Sequence, residues 1–545
     1  MNDTIELLAR AVFAGAFLAF LHARARLFLL YFQQEEYDDA RFARWLLAQK
    51  AFDRRFSLVL AVAGTVAFLA PGLIAHLFLG LAAVAAILLL RMDEAFLAQA
   101  KKPLVMTKRA ARILWLALGL GAALLLGALV LFARPAGLLA SALVLAQGAP
   151  ALLIAANRLL SPFEKRVQKA FLAEAREKLQ KLQPTTVAIT GSYGKTSTKL
   201  ILAHILSTVR PTLATPGSVN TLMGISRIVR EQLTPDHRIF IAEMGAYGEG
   251  SIAALCDLAP PSLSLVTAVG MAHYERFRTV DAVFRAKMEI AEAARRKGGK
   301  TIVNVDQVPE ELLRAELARA GAGNFVLVGR KGGAFPLATT IEEAESRPVG
   351  LFVALGHEGA RHELLVSLHG LHQAANVALA FTAARALGVP PEAIKASLRS
   401  VPQIKHRLEV VAARGAPTII DDGYNSNPDG FRSALDLLDL LGRREEGGRR
   451  ILITPGMVEL GARHDEAHRE VGAYAAGRAD IVLALGPERL GGFLEGLRSG
   501  AQAPEIVPLA SQAEAEDWLK RSGRTGDVIL FENSLPDLYE RPLRL

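Results

Sequence analysis

The string Thr190-Gly191-Ser192-Tyr193-Gly194-Lys195-Thr196-Ser197 gathers glycines, hydroxyls and a lysine into eight residues. Glycines allow backbone N–H groups to turn inward, and a helix N-terminus behind them attracts anions. Lys195 would neutralise outer phosphate oxygens, and the Thr196 hydroxyl would reach Mg²⁺. The flanks agree with that chemistry: Val187-Ala188-Ile189 reads as a strand and Ser197–Leu206 as a helix. Residues 191–197 therefore read as a nucleotide-phosphate cradle rather than an ordinary strand-to-helix turn with a surface lysine. The loop is shorter than the strict phosphate loop, since Ile189 and Thr190 stand where its first glycine is expected.

Other chemistry-bearing residues follow apolar runs. Glu243 closes Ile241-Ala242-Glu243-Met244-Gly245, where a strand-end carboxylate near the loop suits a Mg²⁺ ligand. His273 lies in Ala272-His273-Tyr274-Glu275-Arg276-Phe277, and Lys287 in Ala286-Lys287-Met288-Glu289-Ile290. Taken singly, these residues read as a solvated carboxylate, a structural histidine and a surface lysine. Asn304 and Asp306, then His372, Gln373 and Asn376, come next. Farther on stand His406-Arg407-Leu408-Glu409 and Asp421-Asp422-Gly423-Tyr424-Asn425-Ser426-Asn427-Pro428. The planar fork of an arginine such as Arg407 matches phosphate oxygens.

Together these strings resemble the Mur ligases, ATP-dependent amide ligases of cell-wall peptide assembly, from about Thr186 to about Val528. The string Asp422-Gly423-Tyr424-Asn425-Ser426-Asn427-Pro428 most resembles the type that adds D-alanyl-D-alanine to the muramoyl tripeptide. The resemblance implies ATP and two Mg²⁺ as cofactors. It assigns catalysis to Lys195, Glu243, His273, Lys287 and Arg407. Thr196, Glu243, His273 and a carbamylated Lys287 are then the metal ligands. Gly191, Ser192, Tyr193, Gly194, Lys195, Thr196, Ser197, Asn304, His372, Asn376, Arg407, Asp422 and Asn425 contact nucleotide. The implied route is attack of an acceptor carboxylate on the γ-phosphate, then capture of the acyl phosphate by an amine.

Two departures stand out. Gln373 replaces the asparagine usual after that histidine. Phe531-Glu532-Asn533-Ser534 stands where Lys-Gly-Ser-Arg is usual, so Glu532 reverses a charge.

The elements that position these residues are short apolar runs alternating with helical stretches. Strands are expected at Thr186–Thr190, Ile239–Ala242, Leu263–Val269 and Thr301–Val305. A second set is expected at Pro417–Ile420, Arg450–Thr454, Ile481–Leu485 and Val528–Phe531. This alternation implies α/β domains with largely parallel sheets. The resemblance makes residues 184–400 a central ATP-binding domain and 401–545 a Rossmann-like C-terminal domain, with the linker between them near Ser400–Lys405.

The first third of the chain differs. Spans are expected at about 5–21, 57–70, 73–90, 113–132 and 138–156, followed by a charged helical linker over 161–183. Ser57–Leu90 is too long for one crossing of a ~30 Å core, and Pro71-Gly72 reads as a hairpin turn within it. Residues 1–182 hold 22 Lys and Arg against 12 Asp and Glu, whereas the rest holds 41 against 42. The basic surplus thus lies beside apolar segments, as in cytoplasmic membrane loops, and no nucleic-acid partner is expected. The loops 33–55 and 91–112 carry five and six basic residues, which places them and the ligase domains in the cytoplasm of a bacterial-type inner membrane. A single cysteine, Cys256, excludes a disulfide framework.

The fold class expected is an α-helical transmembrane domain of residues 1–160 followed by α/β ligase domains. Soluble Mur ligases begin instead with a domain that grips uridine diphosphate. The function expected is a membrane-anchored carboxylate–amine ligase that joins an amino acid or dipeptide to a lipid-linked muropeptide. The alternatives are a conventional D-Ala-D-Ala-adding ligase on a UDP-linked substrate and a nucleotide-gated membrane protein. A folate polyglutamylating ligase is disfavoured, because Thr196 stands where that group has glycine. The oligomeric state is left open.

Overall fold

The computed structural model describes residues 2–534 apart from 71, 99–102, 271–276, 278, 414, 425, 444–446, 459, 461–462 and 501. Two compact units divide near Gln168. The first is helical: α1 (Asn2–Gln34), α2 (Asp39–Ala48), α3 (Arg55–Leu69), α4 (Leu73–Ala98), α5 (Lys108–Leu131) and the start of α6 (Pro135–Leu182). Its core joins Phe13, Phe17 and Phe20 to alanines such as Ala82, Ala117 and Ala146, small residues that let apolar helices approach closely. Four helices, Thr4–Gln34, Leu73–Ala98, Lys108–Leu131 and Pro135–Leu182, are long and apolar enough to cross a membrane. The expected span at 57–70 falls in α3, which has 15 residues and a length of about 22 Å, short of a ~30 Å hydrocarbon core.

Three features depart from the sequence reading. First, α1 runs past Leu21 through two arginines. Arg24 is buried and meets Asp53 at 2.8 Å and Asp93 at 2.7 Å, so its charge is compensated where an isolated one would end a span. Second, α2 fills part of a stretch read only as a basic loop. Asp38 caps it, accepting the backbone N–H groups of Ala40 and Arg41 at 2.9 Å. Third, the last span and the charged linker are one 48-residue helix, α6, which carries Pro150 and Pro162 inside it. Each proline removes one backbone hydrogen bond without ending the helix. The end of α6 belongs to the second unit. There Arg230 pairs with Glu174 and stacks on Phe171, and Lys178 Nζ donates to the Arg230 carbonyl at 2.7 Å.

The second unit opens with β1 (Thr185–Thr190), α7 (Lys195–Ser207), β2 (Thr212–Ala214), α8 (Leu222–Gln232), β3 (Ile239–Glu243), α9 (Ser251–Leu258), β4 (Leu263–Val266) and α10 (Val280–Arg296). It continues through β5 (Lys300–Asn304), α11 (Glu310–Ala320), β6 (Phe325–Arg330), β7 (Thr339–Arg347), β8 (Gly350–His357), β9 (Ala360–Val366), α12 (Gln373–Ala386) and α13 (Pro391–Leu398). These strands form one sheet in the order β2-β3-β1-β4-β5-β6-β7-β8-β9. It is parallel from β2 to β7 and antiparallel from β7 to β9. All four strands expected here are present, as the β-rich runs flanked by helices required.

The remaining elements are β10 (Glu409–Val411), β11 (Thr418–Asp422), α14 (Pro428–Gly442), β12 (Arg450–Thr454), α15 (His464–Ala475), β13 (Ile481–Leu485), α16 (Gly491–Ser499), β14 (Glu505–Leu509), α17 (Gln512–Ser522) and β15 (Val528–Glu532). A second sheet runs β10-β11-β15-β12-β13-β14, parallel except for β10. Its central strands are buried on both faces, as in Ile481–Leu485, which explains their continuous apolar runs.

Removing the cation from a buried ion cluster leaves uncompensated charge. Arg24→Leu is expected to destabilise the helical unit by about 3–5 kcal/mol. Thermal unfolding of the detergent-solubilised chain measures this, with Arg134→Leu at an exposed site as the unaffected control.

Candidate nucleotide site

The chain order reverses around β1, which lies between β3 and β4, and ligand crevices form at such switch points beyond strand C-termini. Residues 191–194 leave β1 there. Thr190 Oγ1 donates to the Met244 carbonyl at 2.9 Å and Ser192 N to the Ala268 carbonyl at 2.8 Å. Ser192 Oγ bridges the N–H and carbonyl of Gly270, both at 3.0 Å. Thr267 Oγ1 donates to the Tyr193 carbonyl. Gly191 and Gly194 have φ of 156° and 78°. A Cβ at Gly191 would strike Thr267 Oγ1, and one at Gly194 would strike Asn376 Oδ1. The glycines are therefore required by conformation and by close approach.

The loop delivers Lys195 and Thr196 to the first turn of α7. Lys195 Nζ donates to the carbonyls of Gly191 at 2.6 Å and Ser192 at 3.3 Å. Thr196 Oγ1 donates to Glu243 Oε2 at 3.0 Å. The same oxygen takes the Lys199 ammonium at 2.9 Å, and Asn220 Nδ2 donates to Oε1 at 3.2 Å. Glu243 and Lys199 are both fully buried. Ser197 is buried behind them on α7.

Lys287, on α10, is buried with no hydrogen-bond partner among the described residues. Burial, and then the charge of Lys195, pushes its pKa well below the usual lysine range. Withdrawal from water likewise brings Lys195 down to about 8, against the pull of Glu243 and with the push of Arg407 and Lys199.

Arg407 stands just before β10, at the start of the second α/β domain. Its guanidinium lies 4.4 Å from the centre of the Tyr424 ring, and Tyr424 Oη donates to Ser218 Oγ across the domains at 2.6 Å. Asp422 accepts the Leu408 N–H at 3.1 Å. Lys195, Lys199 and Arg407 thus gather around the Glu243 carboxylate. That surplus of positive charge, with backbone amides at the start of α7, fits a polyphosphate.

The other expected residues divide. Asn376 packs behind Gly194, accepting from Thr198 Oγ1 at 3.1 Å and donating to Gln373 Oε1 at 2.8 Å. Asn304 is buried and donates to the Thr267 carbonyl at 3.1 Å, so it braces the strand beside the loop. Asp306 accepts the Arg330 N–H at 2.9 Å. His372 precedes α12 and its ring sits against Gly370. Tyr193 is exposed on the loop and its ring covers Gly270. His273 and Asn425 lie outside the described residues. Lys199, Asn220 and Thr267 were missed. Lys199 had a signal, because it lies one helical turn beyond Lys195 and three residues after Thr196, on the face turned toward β3.

A phosphate loop, an electropositive cleft and an arginine from a second α/β domain define a two-domain nucleotide-using enzyme. The Mur ligase middle domain matches residues 189–384, and the Mur ligase glutamate ligase domain matches residues 406–534. Over 370 residues the chain is 31% identical to the UDP-N-acetylmuramoyl-tripeptide–D-alanyl-D-alanine ligase of Mycobacterium tuberculosis, covering 64% of this chain and 70% of that one. The enzyme of the same name from Bacillus subtilis is 25% identical over 379 residues, covering 68% and 79%. Among solved structures, MurF from Acinetobacter baumannii and the MurF ligase from Thermotoga maritima in complex with ADP each align with a TM-score of 0.57 and 26% identity. They cover 69% of this chain and 79% and 82% of theirs. The chain belongs to the Mur ligase family, ATP- and Mg²⁺-using enzymes that form amide bonds.

Breaking the buried Lys199–Glu243 pair strands a charge. Lys199→Met is expected to cost about 3–5 kcal/mol, part of which Glu243→Gln in the same chain restores. A double-mutant cycle of thermal unfolding without nucleotide tests this.

Proposed function

We propose that the protein is a membrane-anchored ligase that activates an acceptor carboxylate with ATP and joins it to an amino acid or dipeptide. The acceptor we propose is a lipid-linked muropeptide. The gathering of Lys195 and Arg407, from two domains, over the phosphate loop carries the catalytic part of this reading. The four apolar helices in the region preceding the family match support the membrane part.

The residues present suit Mg²⁺. The Thr196 hydroxyl and Glu243 carboxylate converge on one point, and both are hard oxygen donors. Lys287 as an amine is no ligand. With its pKa pushed down, however, its neutral nitrogen can add to CO₂ and shed a proton, leaving an anionic carbamate. Bound Mg²⁺ would be held by Thr196, Glu243 and that carbamate, and would neutralise charge on the phosphates.

The chain's own residues do the remainder. The loop amides and Lys195 grip the phosphates, because phosphoryl transfer needs positioning and charge neutralisation more than covalent help. Arg407 supplies a second cation from the C-terminal domain to the transferring phosphoryl group. Acceptor carboxylate oxygen bonds to phosphorus as the bond to ADP breaks, giving an acyl phosphate. The amine then adds at the carbonyl carbon, loses a proton and expels phosphate. Contact between the domains, as in the Tyr424–Ser218 hydrogen bond, excludes the water that would hydrolyse the acyl phosphate.

A second reading, a tethered D-Ala-D-Ala-adding ligase on a UDP-linked tripeptide, is favoured by the names of the relatives. Offering both acceptors with ATP and candidate amines separates the two. Turnover of the lipid-linked form is expected, and turnover of the UDP form alone would refute it. Equal ATP hydrolysis with no acceptor would instead indicate a nucleotide-gated membrane protein. Lys195→Met is expected to lower product formation at least about a hundredfold. Removing dissolved CO₂ is expected to lower the rate of the wild type and bicarbonate to restore it, whereas Lys287→Ala responds to neither.

A further inference from the structure

Glu532 ends β15 with no exposed surface. In the parallel register it stands beside Asp422 at the end of β11. Ser426 Oγ donates to Glu532 Oε1, while Oε2 meets no donor among the described residues. A buried carboxylate oxygen without a donor is costly, and two adjacent carboxylates cannot both stay ionised away from water. One proton shared by the two carboxyls satisfies both constraints, and the groups that favour ionised Asp422 assign it to Glu532, which gives it to Asp422. Loss of water raises both carboxyls, and the charge of Asp422 raises Glu532 further. The Leu408 N–H and the Arg407 guanidinium favour the ionised form of Asp422.

Asp422 in turn holds the segment that carries Arg407. Its Oδ1 accepts the Leu408 N–H. His406 and Leu408 have φ of 59° and 50°, left-handed values that cost non-glycine residues roughly 1–3 kcal/mol each and persist only where neighbours enforce them. The enforcing contacts include the His406 N–H donated to Glu409 Oε2 at 3.3 Å and the Arg407 N–H donated to the Ile404 carbonyl at 3.1 Å. Tyr424 N donates to the His406 carbonyl at 3.1 Å, and His406 Nδ1 lies 2.8 Å from Asp421 Oδ2. Leu408 is buried against Gly370.

We propose that Glu532, as a neutral carboxylic acid bonded to Asp422, is a positioning residue that fixes the His406–Leu408 turn and thereby aims Arg407 at the nucleotide. Ionising the pair sets two negative charges side by side, frees Asp422 from the Leu408 N–H and relaxes that turn. The charged groups facing the pair are Arg407 on the turn and Asp421 on β11, which is itself paired with His406. The inference rests on the nucleotide-binding reading above.

The test is binding of a fluorescent, non-hydrolysable ATP analogue with Mg²⁺ to the full-length chain in detergent, from about pH 6 to about pH 9. Glu532→Gln supplies a permanent neutral donor. It is expected to match wild type at the acid end and to bind at least about fivefold more tightly at the alkaline end. Loss of charge from Lys195 affects both proteins and cancels in their ratio. A ratio constant across the range overturns the proposal. Should Glu532→Gln not fold, Ser426→Ala decides. It removes a hydroxyl that favours ionised Glu532, so the midpoint of the wild-type profile is expected to move to higher pH, and an unmoved midpoint overturns the proposal. Absence of binding at every pH overturns the nucleotide reading itself.

Discussion

The nucleotide site depends on a carboxylate that cannot be left alone. Glu243 ends β3 inside the protein, where an unpaired charge would cost several kcal/mol. Lys199, Thr196 and Asn220 satisfy it. Two of the three lie on α7, so neutralising Glu243 also fixes the azimuth and depth of that helix. With α7 fixed, the phosphate loop has one path from β1, and its first-turn lysine faces the cleft. One buried ion pair thus sets the geometry of a site built from main-chain amides.

The same arrangement leaves the cleft unbalanced. Lys195 and Arg407 add positive charge that Glu243, already paired with Lys199, cannot cancel, and Lys195, Lys199 and Lys287 all have lowered proton affinity because burial and neighbouring cations act together. Energy stored as repulsion in the free protein is released when a polyanion arrives. This favours a nucleotide polyphosphate over a neutral ligand, and it couples the two α/β domains, since Arg407 belongs to the second.

How much of this was legible in the sequence follows from how local each signal is. Loop, strand and helix from 187 to 206 could be read because glycine, lysine and apolar alternation are local signals. The strands β1, β3, β4 and β5 were legible for the same reason. The antiparallel strands β7 to β9 were not, because Thr339–Arg347 carries charges on an exposed stretch and gains its place from pairing with β8. Lys199 reads as one more helical lysine until β3 places Glu243 opposite it. The length of α1 was hidden because Arg24 stops an apolar run in sequence, whereas Asp53 and Asp93, 29 and 69 residues away, neutralise it in space. Asn304 shows the converse: a position expected near nucleotide spends its amide on the strand next to the loop.

The central claim is that a carboxyl group is activated by phosphoryl transfer in this cleft. Its most direct test follows oxygen rather than rate. An acceptor that the enzyme turns over is labelled with ¹⁸O in its reactive carboxylate, and the phosphate released with ATP and amine is analysed by mass spectrometry. Formation and aminolysis of an acyl phosphate predict one labelled oxygen in each phosphate released. Unlabelled phosphate released alongside the amide product, the lost label appearing elsewhere, would contradict the account.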